Sequence, residues 1–387
     1  MESTVLPGIA LHAFGGVAAA CCYVSQKWAT GWSFHTYWIV VCTVAWLLMP
    51  LLIASATTPE LWGVLTNSPP ETVLKITLLG AAYGFGGMAF GVAIRHIGYS
   101  LTYAIAIGIS AVFGTLVPAL LAGTLISDFQ KPGGFVVLTG FAVSIAGVAL
   151  CGRAGFMKER ELQTSGEKAP EAPSFNMKFG LLLVIIAGLL AGIYGVAVSG
   201  GTPIDEVAVA HGASEQVKGY AKYIFITGGA LLTNLLWWGV VHARQKTFGE
   251  FRKVDGGMGR LGFYYLMGII GGALWFGQFI FYEQGHVRMG EFKFISWGIH
   301  MAMLVFFSFG VGLAFREWNQ CRRPTLLTLA AGLLVLLGSF GLITWGSSIG
   351  EQAKKGNEQA SQVHSTQHTV GDVVLHYKLT NINSNRR

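Results

Sequence analysis

The sequence predicts an all-α polytopic membrane protein of ten transmembrane helices, arranged as two inverted five-helix repeats. Hydrophobic residues make up 52% of the 387 residues and charged residues only 12%, about half the charged share of an ordinary soluble domain. Ten apolar stretches are each long enough to cross a bilayer, which takes roughly 20 residues. A charged segment at residues 153–178 separates them five and five. An odd number of spans makes the halves enter the membrane in opposite senses, so related halves form the inverted repeats typical of secondary transporters.

The spans follow the apolar stretches of the chain. In chain order they are predicted at Leu6–Gln26, Phe34–Thr57, Val73–Ile94, Tyr99–Gly123, Gly133–Gly152, Met177–Gly200, Gly219–Val241, Leu261–Glu283, Phe292–Phe315 and Pro324–Gly346. The first repeat then occupies residues 1–152 and the second residues 177–346. Residues 153–176 are charged and contain two prolines, so we interpret them as a flexible cytoplasmic linker. Residues 347–387 form a polar tail that we expect to be disordered and dispensable.

The placement of basic residues predicts the orientation. The connections after odd-numbered spans carry 15 of the 26 lysines and arginines, and the opposite side carries six, with five more in the tail. Because cytoplasmic loops of membrane proteins are enriched in basic residues, both termini are expected in the periplasm of a bacterial cell. The net charge of +7 is then a topology signal, and no nucleic-acid partner is expected.

A short repeated motif favours duplication of the two halves. Residues Gly86–Gly91 in span three and Gly272–Gly277 in span eight both read GxxxFG. The motif predicts close packing of these two central helices around a cavity. A chance match among 53 glycines is the alternative.

Polar side chains recur on one face of several spans. In span eight, Trp275, Gln278 and Tyr282 lie at i, i+3 and i+7, and Trp297 and His300 share a face of span nine. Polar groups in a membrane are costly and usually face a cavity or a neighbouring helix. The residues predicted to bind substrate are Trp46, Asn234, Trp275, Gln278, Tyr282, Trp297 and His300.

These residue types predict an uncharged, polyhydroxylated ligand. Aromatic faces pack against sugar C–H groups, while amides and imidazoles satisfy hydroxyls. A cationic or anionic substrate would require a carboxylate or an arginine at mid-span, and the predicted spans have neither there. For aromatic residues near span ends, a place at the membrane interface is the alternative.

Proton coupling requires a group that changes its protonation state near such a cavity. His12 and His300 are the predicted intramembrane histidines, and imidazole titrates near neutral pH. Glu283, close to His286 at the end of span eight, is the third candidate. A buried histidine that is only a satisfied hydrogen-bonding group is the alternative.

Several motifs resemble those of a known family. Those in the second half are GQFIFYxxGH at Gly277–His286, FISWGIHM at Phe294–Met301 and REWNQCRRP at Arg316–Pro324. Those in the first half are AxGxG, RxxGxS with Arg95, Gly98 and Ser100, AIAIGI, and His12 with AACCY. Over roughly residues 6–346 the chain resembles the L-rhamnose–proton symporter family of the drug/metabolite transporter superfamily.

The resemblance implies ten helices with extracytoplasmic termini and proton-driven uptake of L-rhamnose, or a related 6-deoxy sugar, across a bacterial inner membrane. It also implies that the proton is the coupling ion and that no cofactor is required. The expected partners are the sugar and the lipid bilayer, and the oligomeric state is left open.

Two other functions remain as alternatives. A drug/metabolite-type exporter of amino acids or other small metabolites would keep the fold but needs a wider, more apolar cavity. An integral-membrane enzyme would need a cluster of catalytic groups or metal ligands. The sequence contains no HExxH, no paired-aspartate motif and no metal-type spacing of its five cysteines and ten histidines. We therefore expect neither an enzyme nor a metal site.

Overall fold

Among the residues that it describes, the computed structural model contains ten helices that are long and apolar enough to cross a membrane, which confirms the predicted count. It describes residues 5–97, 99–164 and 177–384. These residues form helices and their connections, with no β-strand among them. Residues 165–176 of the linker predicted at 153–176 lie outside the described residues, as do Gly98 and the side chains of Arg95 and Ser100 from the family motif.

The membrane spans are numbered 1 to 10 along the chain. They are Val5–Trp28, Phe34–Thr57, Pro70–Ala93, Thr102–Leu121, Gly134–Leu162, Lys178–Ala210, Lys218–Gln245, Gly257–His286, Gly290–Ala314 and Arg323–Asn357. The α-helices run over Val5–Cys21, Phe34–Thr43, Met49–Thr57, Leu61–Asn67, Pro70–Ile97, Tyr99–Leu121, Leu125–Gln130, Gly134–Thr164, Met177–Gly200, Thr202–Ala210, Ala221–Gln245, Gly257–His286, Ser296–Ala314 and Arg323–Ser384. Shorter 3₁₀ turns lie at Val24–Trp28, Lys218–Tyr220, Phe248–Phe251 and Gly290–Ile295.

Two helices are longer than the sequence predicts. The helix of span 5 continues to Thr164, into the segment assigned to the linker. The helix of span 10 continues to Ser384, through the tail that the sequence analysis left without regular structure. The first residues of that tail are rich in glutamate, glutamine, lysine and alanine, which have high helix propensity, so the helix does not end where the apolar pattern ends. That the tail is dispensable stays a prediction.

The spans pair in a pattern that repeats between the two halves. Span 1 packs against spans 8 and 9, and span 6 packs against spans 3 and 4. Span 3 likewise packs against span 7, as span 8 does against span 2, while spans 5 and 10 pair with each other. If each span of these pairs is replaced by the span at the same position in the other half, the same set of pairs is obtained.

Glycines bring two of these pairs into close contact. The glycines lie four residues apart in each pair, at Gly80 and Gly84 in span 3 and at Gly268 and Gly272 in span 8. A side chain at Gly80 would collide with the carbonyl oxygen of Ile226 in span 7, and one at Gly272 would lie 2.7 Å from that of Val41 in span 2. The two contacts thus use the small-xxx-small pattern of membrane helix packing.

The GxxxFG motif does not make the contact that was predicted from it. A side chain added at Gly91 or Gly277 would meet no atom within 4 Å, and one at Gly86 would approach Leu190 of span 6. Spans 3 and 8 are therefore not brought together by these glycines. The prediction was wrong because periodicity alone does not show which neighbour a glycine faces.

Span 2 contains a π-helical turn at Val44–Leu48, next to Pro50. Proline lacks a backbone N–H, so the carbonyl of Trp46 cannot receive the usual bond from the residue four positions on. The hydroxyl of Thr227 in span 7 lies 2.8 Å from that carbonyl oxygen and 2.6 Å from the carbonyl oxygen of Tyr223. The irregular turn thus places Trp46 against span 7.

The connection between spans 7 and 8 caps the start of span 2. The Oε2 atom of Glu250 accepts hydrogen bonds from the backbone N–H of Ser33 at 2.9 Å, the hydroxyl of Ser33 at 2.7 Å and that of Thr36 at 2.5 Å. Partial burial favours a higher pKa for Glu250, but these hydrogen bonds outweigh it and hold the pKa below its usual value. The carboxylate form is therefore the one that stabilises this contact.

Replacing Glu250 with glutamine is expected to lower the melting temperature at pH 7 by about 1–2 °C. The effect is small because the interactions of a partly exposed carboxylate contribute less than about 1 kcal/mol to the free energy of unfolding. The lowered pKa means that the stabilisation is present above the unfolded-state value of about 4.3 and is lost as the pH falls through the folded-state value. Thermal unfolding of the detergent-solubilised proteins between pH 7 and pH 3.5 checks this. Glu206→Gln, at an exposed position, is the control. Equal melting temperatures for Glu250→Gln and the wild type throughout would contradict the prediction.

Candidate functional site

Four aromatic side chains meet where spans 2, 6, 8 and 9 approach one another. The ring centroids of Trp46 and Trp275 lie 5.4 Å apart. Tyr194 of span 6 lies 6.2 Å from Trp275 and 6.1 Å from Trp297. All four are buried, so this part of the protein offers aromatic faces without exposing them to the lipid.

Two histidines and a tyrosine extend this aromatic group. The ring of Tyr282 lies 5.8 Å from Trp297, 5.5 Å from His12 and 5.4 Å from His300. His12 and His300 are themselves 5.9 Å apart. We call the combined set the central site, which comprises His12, Trp46, Tyr194, Trp275, Gln278, Tyr282, Trp297 and His300.

Several polar atoms of the central site have no hydrogen-bond partner among the described residues. They are both ring nitrogens of His12, Nδ1 of His300, Nε1 of Trp46 and the hydroxyl of Tyr194. Both histidines are fully buried. Buried polar groups in native proteins are nearly always hydrogen-bonded, so these atoms are available to hydrogen-bond a ligand.

Other polar groups of the site are partly or wholly engaged. Gln278 donates from Nε2 to the carbonyl of Trp275 at 2.7 Å, and its Oε1 lies 3.2 Å from Nε2 of His300. The indole N–H of Trp297 donates to the carbonyl of Ser110 at 3.1 Å. Trp297 therefore offers a ring face rather than a donor, and Gln278 orients His300.

Glycines shape the space around two of these rings. A side chain on Gly15 would lie 2.7 Å from the ring of His300, and one on Gly195 would lie 2.8 Å from the ring of Trp297. Spans 1 and 6 thus approach the site closely because they carry no side chain at these points.

Asn234 differs from the other predicted binding residues. Its Oδ1 atom accepts from the indole N–H groups of Trp38 and Trp238, both at 3.2 Å. Its Nδ2 atom donates to the carbonyls of Gly84 and Ala230, both at 3.1 Å. Direct contact with a substrate would require one of these bonds to break, and in this structure Asn234 holds Trp38 and joins span 7 to span 3.

Glu283 is not an isolated carboxylate, because it belongs to an ionic cluster. Its Oε1 atom lies 3.2 Å from Nζ of Lys222 and accepts a hydrogen bond from the hydroxyl of Tyr223 at 2.7 Å. Lys222 also contacts Oδ2 of Asp205 at 2.9 Å. We call Asp205, Lys222 and Glu283 the carboxylate–lysine triad.

The sequence analysis missed three of these residues. Tyr194 is an isolated hydroxyl in the middle of a strongly apolar span, and that isolation was the available signal. Asp205 lies in a connection and Lys222 lies near the start of the predicted span Gly219–Val241, and the sequence analysis assigned neither of them a role in the site. Their pairing is a tertiary contact, for which the sequence carries no periodic signal.

Ten spans around a buried site of aromatic rings and unpartnered hydrogen-bonding groups define a membrane transport protein of the carrier class. Comparison with known proteins narrows the class. Residues 1–348 match the model of the L-rhamnose-proton symport protein family.

The relatives agree with that match. The chain is 33% identical to the L-rhamnose-proton symporter of Cronobacter sakazakii over 349 residues, which cover 89% of this chain and 99% of the relative. It is 31% identical to the L-rhamnose-proton symporter of Escherichia coli over 349 residues and 30% identical to that of Citrobacter koseri over 347, with the same coverage. The chain belongs to the L-rhamnose-proton symport protein family, and it is a transporter rather than an enzyme.

Proposed function

We propose that this protein takes up L-rhamnose, or a closely related 6-deoxy sugar, together with protons across a bacterial inner membrane. The unpartnered polar atoms of the central site are the observation that carries the proposal. A sugar supplies hydroxyls for those atoms and C–H faces for the surrounding rings. The names of the relatives supply the particular sugar.

Within the site, the rings and the polar groups have different roles. Trp46, Trp275 and Trp297 form the walls on which the sugar ring and its methyl group pack. His12, His300 and Gln278 bond the hydroxyls, and Tyr194 adds a hydroxyl that the sequence analysis did not assign. Tyr282 joins the two sets through its ring contacts. Asn234 acts indirectly, by holding Trp38 beside Trp46 at a ring separation of 6.2 Å.

The proposed transport cycle uses the two halves as inverted repeats. The repeating pairs of spans support this, since the pairs 1–8, 1–9 and 2–8 have the counterparts 6–3, 6–4 and 7–3. Rocking of one half against the other would carry the central site from one face to the other. The excess of basic residues after odd-numbered spans supports periplasmic termini.

The coupling ion is the proton. His12 and His300 lie in the central site itself, and Glu283 lies one position from Tyr282 in span 8. These are the three candidates for the group that takes the proton. Sugar and proton must favour the same occluded state, so that each raises the affinity for the other. The alternative, a drug/metabolite-type exporter of amino acids or other small metabolites, is disfavoured because the relatives are named L-rhamnose-proton symporters.

Uptake of labelled L-rhamnose into proteoliposomes tests the function. With an inward proton gradient, we expect accumulation above the external concentration, and a protonophore should reduce it to simple equilibration. Protein-free vesicles are the control. Uptake of a different solute, with rhamnose transport at the level of protein-free vesicles, would overturn the substrate. Accumulation that persists with the protonophore would overturn proton coupling.

A further inference from the structure

The carboxylate–lysine triad is buried although it is built from three charged side chains. Asp205 lies in the short helix Thr202–Ala210 that ends span 6, Lys222 in the first turns of span 7 and Glu283 in the last turn of span 8. Their side chains are 10%, 4% and 4% exposed. Burying charged groups costs free energy unless their charges balance. The net charge of the triad therefore determines which of its protonation states are stable.

With both carboxylates ionised, the triad carries one negative charge in excess. Lys222 contacts one oxygen of each carboxylate, and Oδ1 of Asp205 has no partner among the described residues. Tyr223 donates a neutral hydrogen bond to Glu283. One added proton makes the triad neutral and gives the carboxyl group that holds it a donor.

Among the described residues, no cation other than Lys222 forms an ion pair with a carboxylate of the triad. Lys218 pairs with the exposed Glu215 at 2.6 Å, and Arg288 donates to the carbonyl of Gln284 at 2.6 Å. His286 stacks on Tyr282 at 5.8 Å. The other titratable neighbours are Tyr194 and Tyr282 of the central site, Tyr220, which donates to the carbonyl of Ile280, and Lys293, which is exposed.

Two glycines pack closely against the side chains of the triad. The aliphatic part of Lys222 lies against Gly201, where an added side chain would be 2.7 Å away. The second oxygen of Glu283 lies against Gly219, where an added side chain would collide with it. The glycines allow the two charged groups to lie inside the helix contacts rather than in solvent.

The triad contacts the central site through aromatic rings. Tyr223, which donates to Glu283, has its ring 5.2 Å from Phe279. Phe279 in turn lies 5.2 Å from both Tyr194 and Trp275. These contacts connect Glu283 to rings that are proposed to hold the sugar.

We propose that the carboxylate–lysine triad is the proton-coupling site of the transporter. The coupling proton forms an O–H bond with a carboxylate of Asp205 or Glu283, and Lys222 remains paired with the other carboxylate. Release breaks the same O–H bond on the opposite side of the membrane and restores the bridged arrangement. This inference rests on the proposed proton-coupled sugar transport, and it selects Glu283 over the two histidines and adds Asp205 and Lys222.

Two carboxamide variants test this in proteoliposomes. Glu283→Gln leaves the neutral pair Lys222–Asp205, and Asp205→Asn leaves the neutral pair Lys222–Glu283. In neither variant does the cluster need an added proton to become neutral. We expect both variants to exchange labelled for unlabelled rhamnose within about twofold of the wild-type rate, since exchange needs no net proton movement. An inward gradient of one pH unit should give wild type an accumulation of up to about tenfold for one proton per sugar, and both variants a ratio of one.

Glu215→Gln is the matched control, because Glu215 is an exposed carboxylate that pairs with a lysine in the same region. It should accumulate rhamnose as the wild type does. Size-exclusion profiles and thermal unfolding show whether each variant is folded. If one carboxamide variant fails to fold, the other still decides the question, because each neutralises the triad.

Wild-type accumulation in either folded carboxamide variant would overturn the assignment of the proton to the triad and leave the proposed function standing. Loss of exchange together with accumulation in a folded variant would also overturn it, because the carboxylates would then serve sugar binding. Absence of rhamnose exchange in the wild-type protein would instead overturn the proposed function, and the triad assignment with it.

Discussion

Replacing His12 with leucine is expected to weaken rhamnose binding by about 100-fold and to make the protein more stable to heat. Both ring nitrogens of His12 are buried without partners among the described residues, and an unsatisfied buried polar group costs about 1–3 kcal/mol. Leucine removes that cost in the sugar-free protein. It also removes the hydrogen bonds to the sugar, and about 2.7 kcal/mol corresponds to 100-fold in affinity.

The opposite signs of the two effects distinguish a binding residue from a packing residue. Binding of rhamnose to the detergent-solubilised protein by calorimetry and thermal unfolding without sugar measure them. His211→Leu is the control, because both nitrogens of His211 have partners, Asn67 at 3.1 Å and the carbonyl of Val207 at 2.9 Å. That variant should bind rhamnose normally without gaining stability. A lower melting temperature with unchanged affinity in His12→Leu would show that His12 is a structural group.

Replacing Trp275 with alanine is expected to reduce rhamnose affinity by about 50- to 100-fold. The indole contacts the rings of Trp46, Tyr83 and Tyr194 at centroid distances of 5.4, 6.4 and 6.2 Å. It is thus at the centre of the aromatic group, and its removal takes away one wall of the sugar site. The cavity that remains should also lower stability by about 3–5 kcal/mol.

Trp275→Phe separates the two effects, since it retains an aromatic face and most of the volume. We expect that variant to remain folded and to bind rhamnose about tenfold more weakly than the wild type. Trp237→Ala, at a position in span 7 where the side chain is half exposed, is the control and should bind normally. Wild-type affinity in folded Trp275→Phe and Trp275→Ala would place the sugar elsewhere.

Much of the architecture could be predicted because the bilayer imposes it. A span needs a long apolar stretch whatever surrounds it, so the ten stretches are readable in the sequence. The spacing of Trp275, Gln278 and Tyr282 likewise follows from helix geometry. In the structure these three are buried on the side of span 8 that faces Trp46 and His300.

Other features depend on partners that are distant in the chain. Asn234 has the composition of a sugar-binding residue, but its amide is used by two tryptophans and two carbonyls. Asp205 and Lys222 are isolated charges in the sequence, and only the fold brings Glu283 beside Lys222. Whether a polar side chain is hydrogen-bonded within the protein depends on the neighbouring helices. The periodic pattern of any one span therefore does not show it.

The hydroxyl of Thr227 has a further consequence for movement between spans 2 and 7. It carries a single proton but lies within hydrogen-bond distance of two carbonyl oxygens, that of Trp46 in span 2 and that of Tyr223 in its own helix. When the spans separate at this point, rotation about the Cβ–Oγ bond of Thr227 can turn the hydroxyl hydrogen from the carbonyl of Trp46 to the carbonyl of Tyr223. Opening therefore exchanges one acceptor for another and does not leave the hydroxyl donor without a partner.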